Sequence, residues 1–124
     1  MTLGGDGTAA FGRPGGESSR KACTRPIDLA HLSRQTLGDR EIEREVLDLF
    51  VQQAVSVCDQ LGAASPVERL RLAHALKGAA RGVGAFAIAD CVGRIETQPD
   101  DSGAVRHLSA LIEEARDFIA SISR

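Results

Sequence analysis

Tryptophan and tyrosine are absent from the 124 residues, and phenylalanine occurs only four times. A chain this poor in aromatics lacks the stacking platforms of a single-strand nucleic-acid binder. Its core must be built from Leu, Ile, Val and Ala, which suits helix packing better than a β-sandwich. A basic excess is missing too. Fifteen Lys and Arg against seventeen Asp and Glu leave a net charge of −2, which sets aside a general nucleic-acid binder. No run of about 18 apolar residues occurs, so no membrane span is expected. The opening stretch MTLGGDGTAAFGRPGG has neither the basic start nor the apolar segment of a secretory leader, and the cytoplasm is the expected location. Cysteine is scarce: Cys23, Cys58 and Cys91 are scattered, with no CxxC pair. A disulfide framework or a zinc site is not expected, and Cys58 and Cys91 read as small core residues. The early GGDG is followed by no GK[ST] and preceded by no strand, so it is not a phosphate loop. No ATP site is expected anywhere in the chain.

What remains is enough for one domain that buries a usable core without covalent staples. Residues 1–25 are rich in Gly, Ser and charge and read as a disordered tail; residues 26–124 read as a helical bundle. IDLAHLSRQTLG is a short helical stretch closed by Gly38. Asp39 can cap a long helix whose apolar face is expected to be Ile42, Val46, Leu49, Phe50, Val57 and Leu61. SPVE at 65–68 starts a third helix: Ser65 and Glu68 can exchange bonds with each other's backbone amides, and Pro66 sits where its missing N–H costs nothing. That helix should run to about Val83, with Gly82 and Gly84 as its stop. A fourth covers Phe86 to about Thr97, and Asp101 or Ser102 can cap a fifth with an apolar stripe from Val105 to Ile122. The expected fold is all-α: an antiparallel up-down four-helix bundle with a short N-terminal helix.

The stretch HALKGAARGVG, residues 74–84, carries the chemistry. At the α-helical turn of about 100° per residue, His74, Lys77, Gly78 and Arg81 share one side, while Leu72, Leu76, Ala79 and Val83 take the other. An outward imidazole is mostly neutral at pH 7, and its free ring nitrogen is a nucleophile. Lys77 and Arg81 favour a dianionic group on that nitrogen, and Gly78 leaves a notch for a partner's approach. These features point to a residue that receives and passes on a phosphoryl group. A metal site is not expected, because His31 and His107 are remote in sequence and cations flank His74. His31 and His107 read as solvated helix residues. A hydrolase would need a second nucleophile on this face, where Ala79 and Ala80 stand instead.

AHALKGAARGVGAFAIADCVGRIE, residues 73–96, resembles the histidine-containing phosphotransfer (HPt) domain. The match to the family's HxLKG pattern and later xxxCxxLE is carried by His74, Leu76, Lys77, Gly78, Gly84, Ile88, Cys91 and Glu96. Ile95 stands for the usual leucine. VLDLFVQQAVSVCDQL is similar to the family's preceding helix. The resemblance implies a cytoplasmic, monomeric phosphorelay carrier. It would accept a phosphoryl group on His74 from a receiver-domain aspartate and pass it to another receiver, with response-regulator receiver domains and a hybrid histidine kinase as partners. Lys77 would steady the phosphate and Gly78 would give the receiver room. Mg²⁺ would be supplied by the receiver, with no metal or cofactor held by this chain. Ala79 and Ala80 replace the usual small polar residues, which implies that hydroxyl contacts to the phosphate are lost. Val67, Leu70 and Arg71 lie near His74 on the same helix and are candidate docking residues. A non-transferring bundle that sequesters a receiver or a kinase is the alternative.

Overall fold

The computed structural model describes residues 25–122; the expected tail and Cys23 fall outside the described residues, except for an exposed Arg25. Five helices follow in order: α1 Leu29–Thr36, α2 Arg40–Leu61, α3 Pro66–Val83, α4 Phe86–Thr97 and α5 Ser102–Ile122. No strand occurs among the described residues.

The helix ends follow from side chains that accept otherwise unpaired amides. Asp28 accepts from the His31 amide, Asp39 from those of Glu41 and Ile42, Ser65 from that of Glu68, and Asp101 from that of Ala104. The reciprocal half of the expected exchange at Ser65 is not made: the Glu68 carboxylate accepts from Arg71 instead, one turn along. At the end of α1 the left-handed turn begins at Leu37 (φ 56°), one residue before the expected Gly38 (φ 78°). Gly84 ends α3 at φ 87°, and its amide returns to the carbonyls of Ala80 and Arg81. Gly82 is not part of the stop; it lies inside α3.

The four long helices pack as a ring, α2 on α3, α3 on α4, α4 on α5 and α5 on α2, while α1 lies on α2 and α3. The shared core contains Leu47, Phe50, Leu61, Leu76, Ile88, Ile95, Leu108 and Ile112. Cys91 is buried there as expected, with its thiol directed at the Ala104 carbonyl 3.3 Å away; burial raises its pKa. Two expected faces are corrected. On α2, Leu47, Phe50, Ala54, Val57 and Leu61 enter the core, whereas Ile42 and Leu49 remain 46% and 65% exposed. The helix carries two apolar stripes, and the buried one runs from Leu47 to Leu61. On α3 the buried side is Ala73, Leu76, Ala80 and Val83, with Leu72 and Ala79 only half-buried. The core face is thus turned by roughly 50° from the expected one, toward Lys77.

Two tethers hold the connections. Arg69 donates through Nε to the Leu61 carbonyl at 2.9 Å and through Nη1 to that of Pro99 at 2.5 Å, joining the end of α2 to the α4–α5 link. The Asp28 amide donates to the Gly84 carbonyl at 2.9 Å, joining the approach to α1 to the α3–α4 turn. No helix among the described residues is long and apolar enough to cross a membrane.

Candidate functional site

Gly84 reverses the chain so that α4 runs beside the Lys77 flank of α3. This places Glu96, near the end of α4, opposite the middle of α3. The Glu96 carboxylate takes two partners: Oε2 lies 2.9 Å from His74 Nδ1, and Oε1 accepts from the Lys77 ammonium. His74 is 78% exposed at its side chain, against 19% for Glu96 and 22% for Lys77. His74 therefore faces outward as expected, but Lys77 does not stand free beside it. Its stem turns into the α3–α4 groove and its charge is held by Glu96. The correction follows from packing: the rotated core face brings position 77 to the edge of α4.

The hydrogen bond from Lys77 lowers the pKa of Glu96; burial opposes the shift, and the bond to His74 adds to it. An ionised carboxylate can only accept. Nδ1 of the neutral ring is therefore the protonated nitrogen, and Nε2 keeps its lone pair, with no bond among the described residues. The other two imidazoles are arranged differently. His107 is exposed with Nδ1 3.3 Å from Arg94 Nη2. A guanidinium can only donate, so there Nδ1 accepts and Nε2 of the neutral ring carries the proton. His31 is not the solvated residue expected. Its Nε2 is buried without a partner among the described residues, and its ring meets Phe86 edge-on at 5.2 Å, because α1 is laid down on the bundle. Of the three, only His74 offers an exposed, unprotonated Nε2.

Gly78 is exposed, and a Cβ built there meets nothing within 4 Å. Gly78→Ala is expected to stabilise the fold by up to about 1 kcal/mol. Gly78→Gln should fold normally yet slow phosphoryl transfer from a protein donor far more than labelling by phosphoramidate. Two rates and a melting curve on the same variant check this; equal slowing with both donors would mean that Gly78 shapes the imidazole rather than access to it.

Arg81, Val67, Leu70 and Arg71 are all exposed, and Arg71 is drawn to Glu68 at 3.0 Å. The expected loss of phosphate contacts needs correcting at Ala80. Ala79 is half-buried and Ala80 is buried, so a hydroxyl at Ala80 would point into the core rather than at His74. The residue whose role sequence reasoning missed is Glu96. It was visible as the acid 22 positions after His74, but nothing in the spacing alone showed its carboxylate against Nδ1. The site is an open surface. A cleft of about 360 Å³ lies elsewhere, between α1 and the start of α4, lined by Arg25, Asp28, Leu29 and Phe86 among others. An imidazole lone pair presented in this way is open to a group brought by another molecule.

A family model described as the Hpt domain matches residues 45–118. No curated protein and no solved structure matches the chain.

Proposed function

The chain belongs to the Hpt domain family, whose act is histidine phosphotransfer within phosphorelays, and on that premise we propose that His74 is its phosphoryl carrier. The observation that carries this reading is the Glu96 carboxylate 2.9 Å from Nδ1. With the ring proton held there, the Nε2 lone pair attacks the phosphorus of a receiver's aspartyl phosphate in line. The N–P bond forms as the P–O bond to the aspartate breaks, and the aspartate carboxylate leaves with the bonding pair. The ring gains positive character as this happens, and Glu96, already ionised, stabilises it through the Nδ1–H. Transfer to a second receiver is the reverse. Lys77 keeps Glu96 ionised and in place, so its first task is to position the carboxylate rather than to grip the phosphate. Arg81 is an exposed cation on the same face. Val67, Leu70 and Arg71 border the imidazole as docking residues.

In this reading the four long helices run alternately up and down, a direction supported by the short links at 62–65, 84–85 and 98–101. The protein is a monomeric cytoplasmic carrier without its own ATP site, fed by a hybrid histidine kinase and serving response-regulator receivers. Mg²⁺ for the transfer is held by the receiver's carboxylates. The test is to incubate the full chain with a panel of purified, radiolabelled phospho-receivers. Label should move to the chain in an acid-labile, alkali-stable form; binding of receivers without any transfer would favour a sequestering adaptor.

The Glu96 assignment has a pH signature. Its folded pKa lies below the ordinary carboxylate value, so its ion pair stabilises the fold above that ordinary value and ceases to do so as pH falls through the folded one. Wild type should exceed Glu96→Gln in urea midpoint at neutral pH, and the gap should close in acid. A gap that acid left unchanged would show that Glu96 acts by packing alone.

A further inference from the structure

We infer that Arg69 is a positioning residue for phosphoryl transfer: it sets the height of Glu96 against His74 by holding the exit of α4. The inference rests on the phosphotransfer reading and adds to it the group that keeps the carboxylate in register. The His74 ring is exposed, and its contact with Glu96 is the one hydrogen bond that orients it among the described residues. A shift of Glu96 along α3 therefore turns the imidazole and re-aims Nε2.

Glu96 is the last residue but one of α4, which ends at Thr97. The last turn of a helix has carbonyls without intrahelical partners and frays readily. Here that turn passes straight into a second one. Gln98 leaves the helix at φ −136°, the extended backbone favoured before a proline. Pro99 follows, and the Asp101 amide donates to the Gln98 carbonyl at 3.0 Å. Residues 98–101 thus form a tight turn with proline at its second position, where the fixed φ suits it. Asp101 goes on to cap α5 through the Ala104 amide. Glu96 and the Pro99 carbonyl are three residues apart, with little slack between them.

Arg69 grips this stiff piece. It precedes His74 by five residues, which puts it about 140° round α3 from the imidazole and about 20° from the buried Leu76. From that side the half-buried arginine reaches two neighbours. Nη1 donates to the Pro99 carbonyl at 2.5 Å, and Nε donates at 2.9 Å to that of Leu61, the last residue of α2. No carboxylate pairs with it among the described residues. A guanidinium holds its donors in one rigid plane, so the two bonds together fix the exit of α4 relative to the end of α2. The Arg69–Pro99 and His74–Glu96 contacts are successive rungs of one helical hairpin. Because Arg69 faces away from His74, its effect on transfer runs through Glu96.

The test uses the full chain with Arg69, Arg69→Met or Arg69→Lys, each with Glu96 or Glu96→Ala. Methionine keeps an apolar stem and loses both donors; lysine can reach one carbonyl. Two readouts that need no protein partner are taken below the melting transition. One is the rate of labelling by phosphoramidate. The other is the His74 tautomer, read from its ring 15N signals at about pH 8, where an ordinary imidazole is neutral. Wild type should show the Nδ1–H form. Arg69→Met is expected to label about tenfold more slowly, the scale of a small misplacement of a reacting group. It should also shift His74 toward the Nε2–H form while the His31 signals stay in place. Arg69→Lys should recover part of both. In the Glu96→Ala background, Arg69→Met should change the rate by less than about twofold, because the contact it positions is already gone. A wild-type rate and tautomer in Arg69→Met overturn the inference and leave the phosphotransfer reading intact. Equal slowing in both backgrounds also overturns it, since Arg69 then acts on the fold and not through Glu96. If Arg69→Met does not fold, Arg69→Lys decides by the same comparisons. A wild type that neither phosphoramidate nor any phospho-receiver labels overturns the phosphotransfer reading, and this inference with it.

Discussion

His74→Gln is expected to remove all phosphoryl label from the chain, whichever donor is used, while leaving its helical circular dichroism and urea midpoint nearly unchanged. The two halves of this result have separate causes. His74 is exposed and takes no part in the core, and an exposed substitution away from caps and tethers usually shifts stability by less than about 0.5 kcal/mol. The bond that does change is the one to Glu96; the glutamine amide can donate in its place, so the carboxylate is not abandoned. Chemically the loss is complete, because an amide nitrogen has no available lone pair with which to attack phosphorus. Neither remaining histidine can substitute: Nε2 of His107 carries its proton and Nε2 of His31 is buried. The check is label on wild type and variant after acid and alkali treatment. Acid-labile label surviving in the variant would sink the assignment of His74.

The largest loss of stability expected from a single methyl group is at Gly84. Gly84→Ala imposes two penalties at once. The residue sits at φ 87°, a region that costs an L-residue about 1–2 kcal/mol. Its new Cβ would also lie 2.8 Å from the Asp28 backbone oxygen and 3.2 Å from the Asp28 amide nitrogen. That neighbour is main chain, fixed by the Asp28–Gly84 hydrogen bond, and it cannot move aside without lifting the start of α1. Overpacking of this kind adds about 1–3 kcal/mol. A total of about 2–5 kcal/mol is a large part of the 5–15 kcal/mol typical of a domain. The urea midpoint should fall sharply with the slope retained. Gly82→Ala, two residues away, is the control: it is helical, and its Cβ meets nothing within 4 Å, so it should match or exceed wild type. Equal effects at the two glycines would mean that the α1 approach does not press on the α3–α4 turn.

The helices were legible because their punctuation is local. Asp28, Asp39, Ser65, Asp101 and Gly84 act on amides and carbonyls within a turn of themselves, and a short window of sequence contains the whole interaction. His74 was legible for the same reason, since its outward direction follows from one helix's periodicity. Which of two apolar stripes a helix buries is a different matter. Leu47 and Leu49 have the same character and the same local setting, and only the positions of α3 and α5 separate them. Lys77 was misread for that reason too: its fate was set by α4, not by α3. The role of Glu96 and the buried Nε2 of His31 are products of helices meeting, as is the pressure of Asp28 on Gly84. None of these leaves a mark within one helix's own period.

His74 and Glu96 are 22 residues apart and lie on the two arms of one helical hairpin. The entropy lost in bringing imidazole and carboxylate together is that of closing one short loop, and α3 packing on α4 already closes it. The reactive pair is therefore specified by a contiguous fifth of the chain. α2 and α5 complete the core beneath it, and their outer surfaces are free to diverge without disturbing the 2.9 Å contact. In lineage terms, the imidazole and its carboxylate travel together on one contiguous stretch of sequence, so substitutions on the outward faces of α2 and α5 can accumulate without separating them.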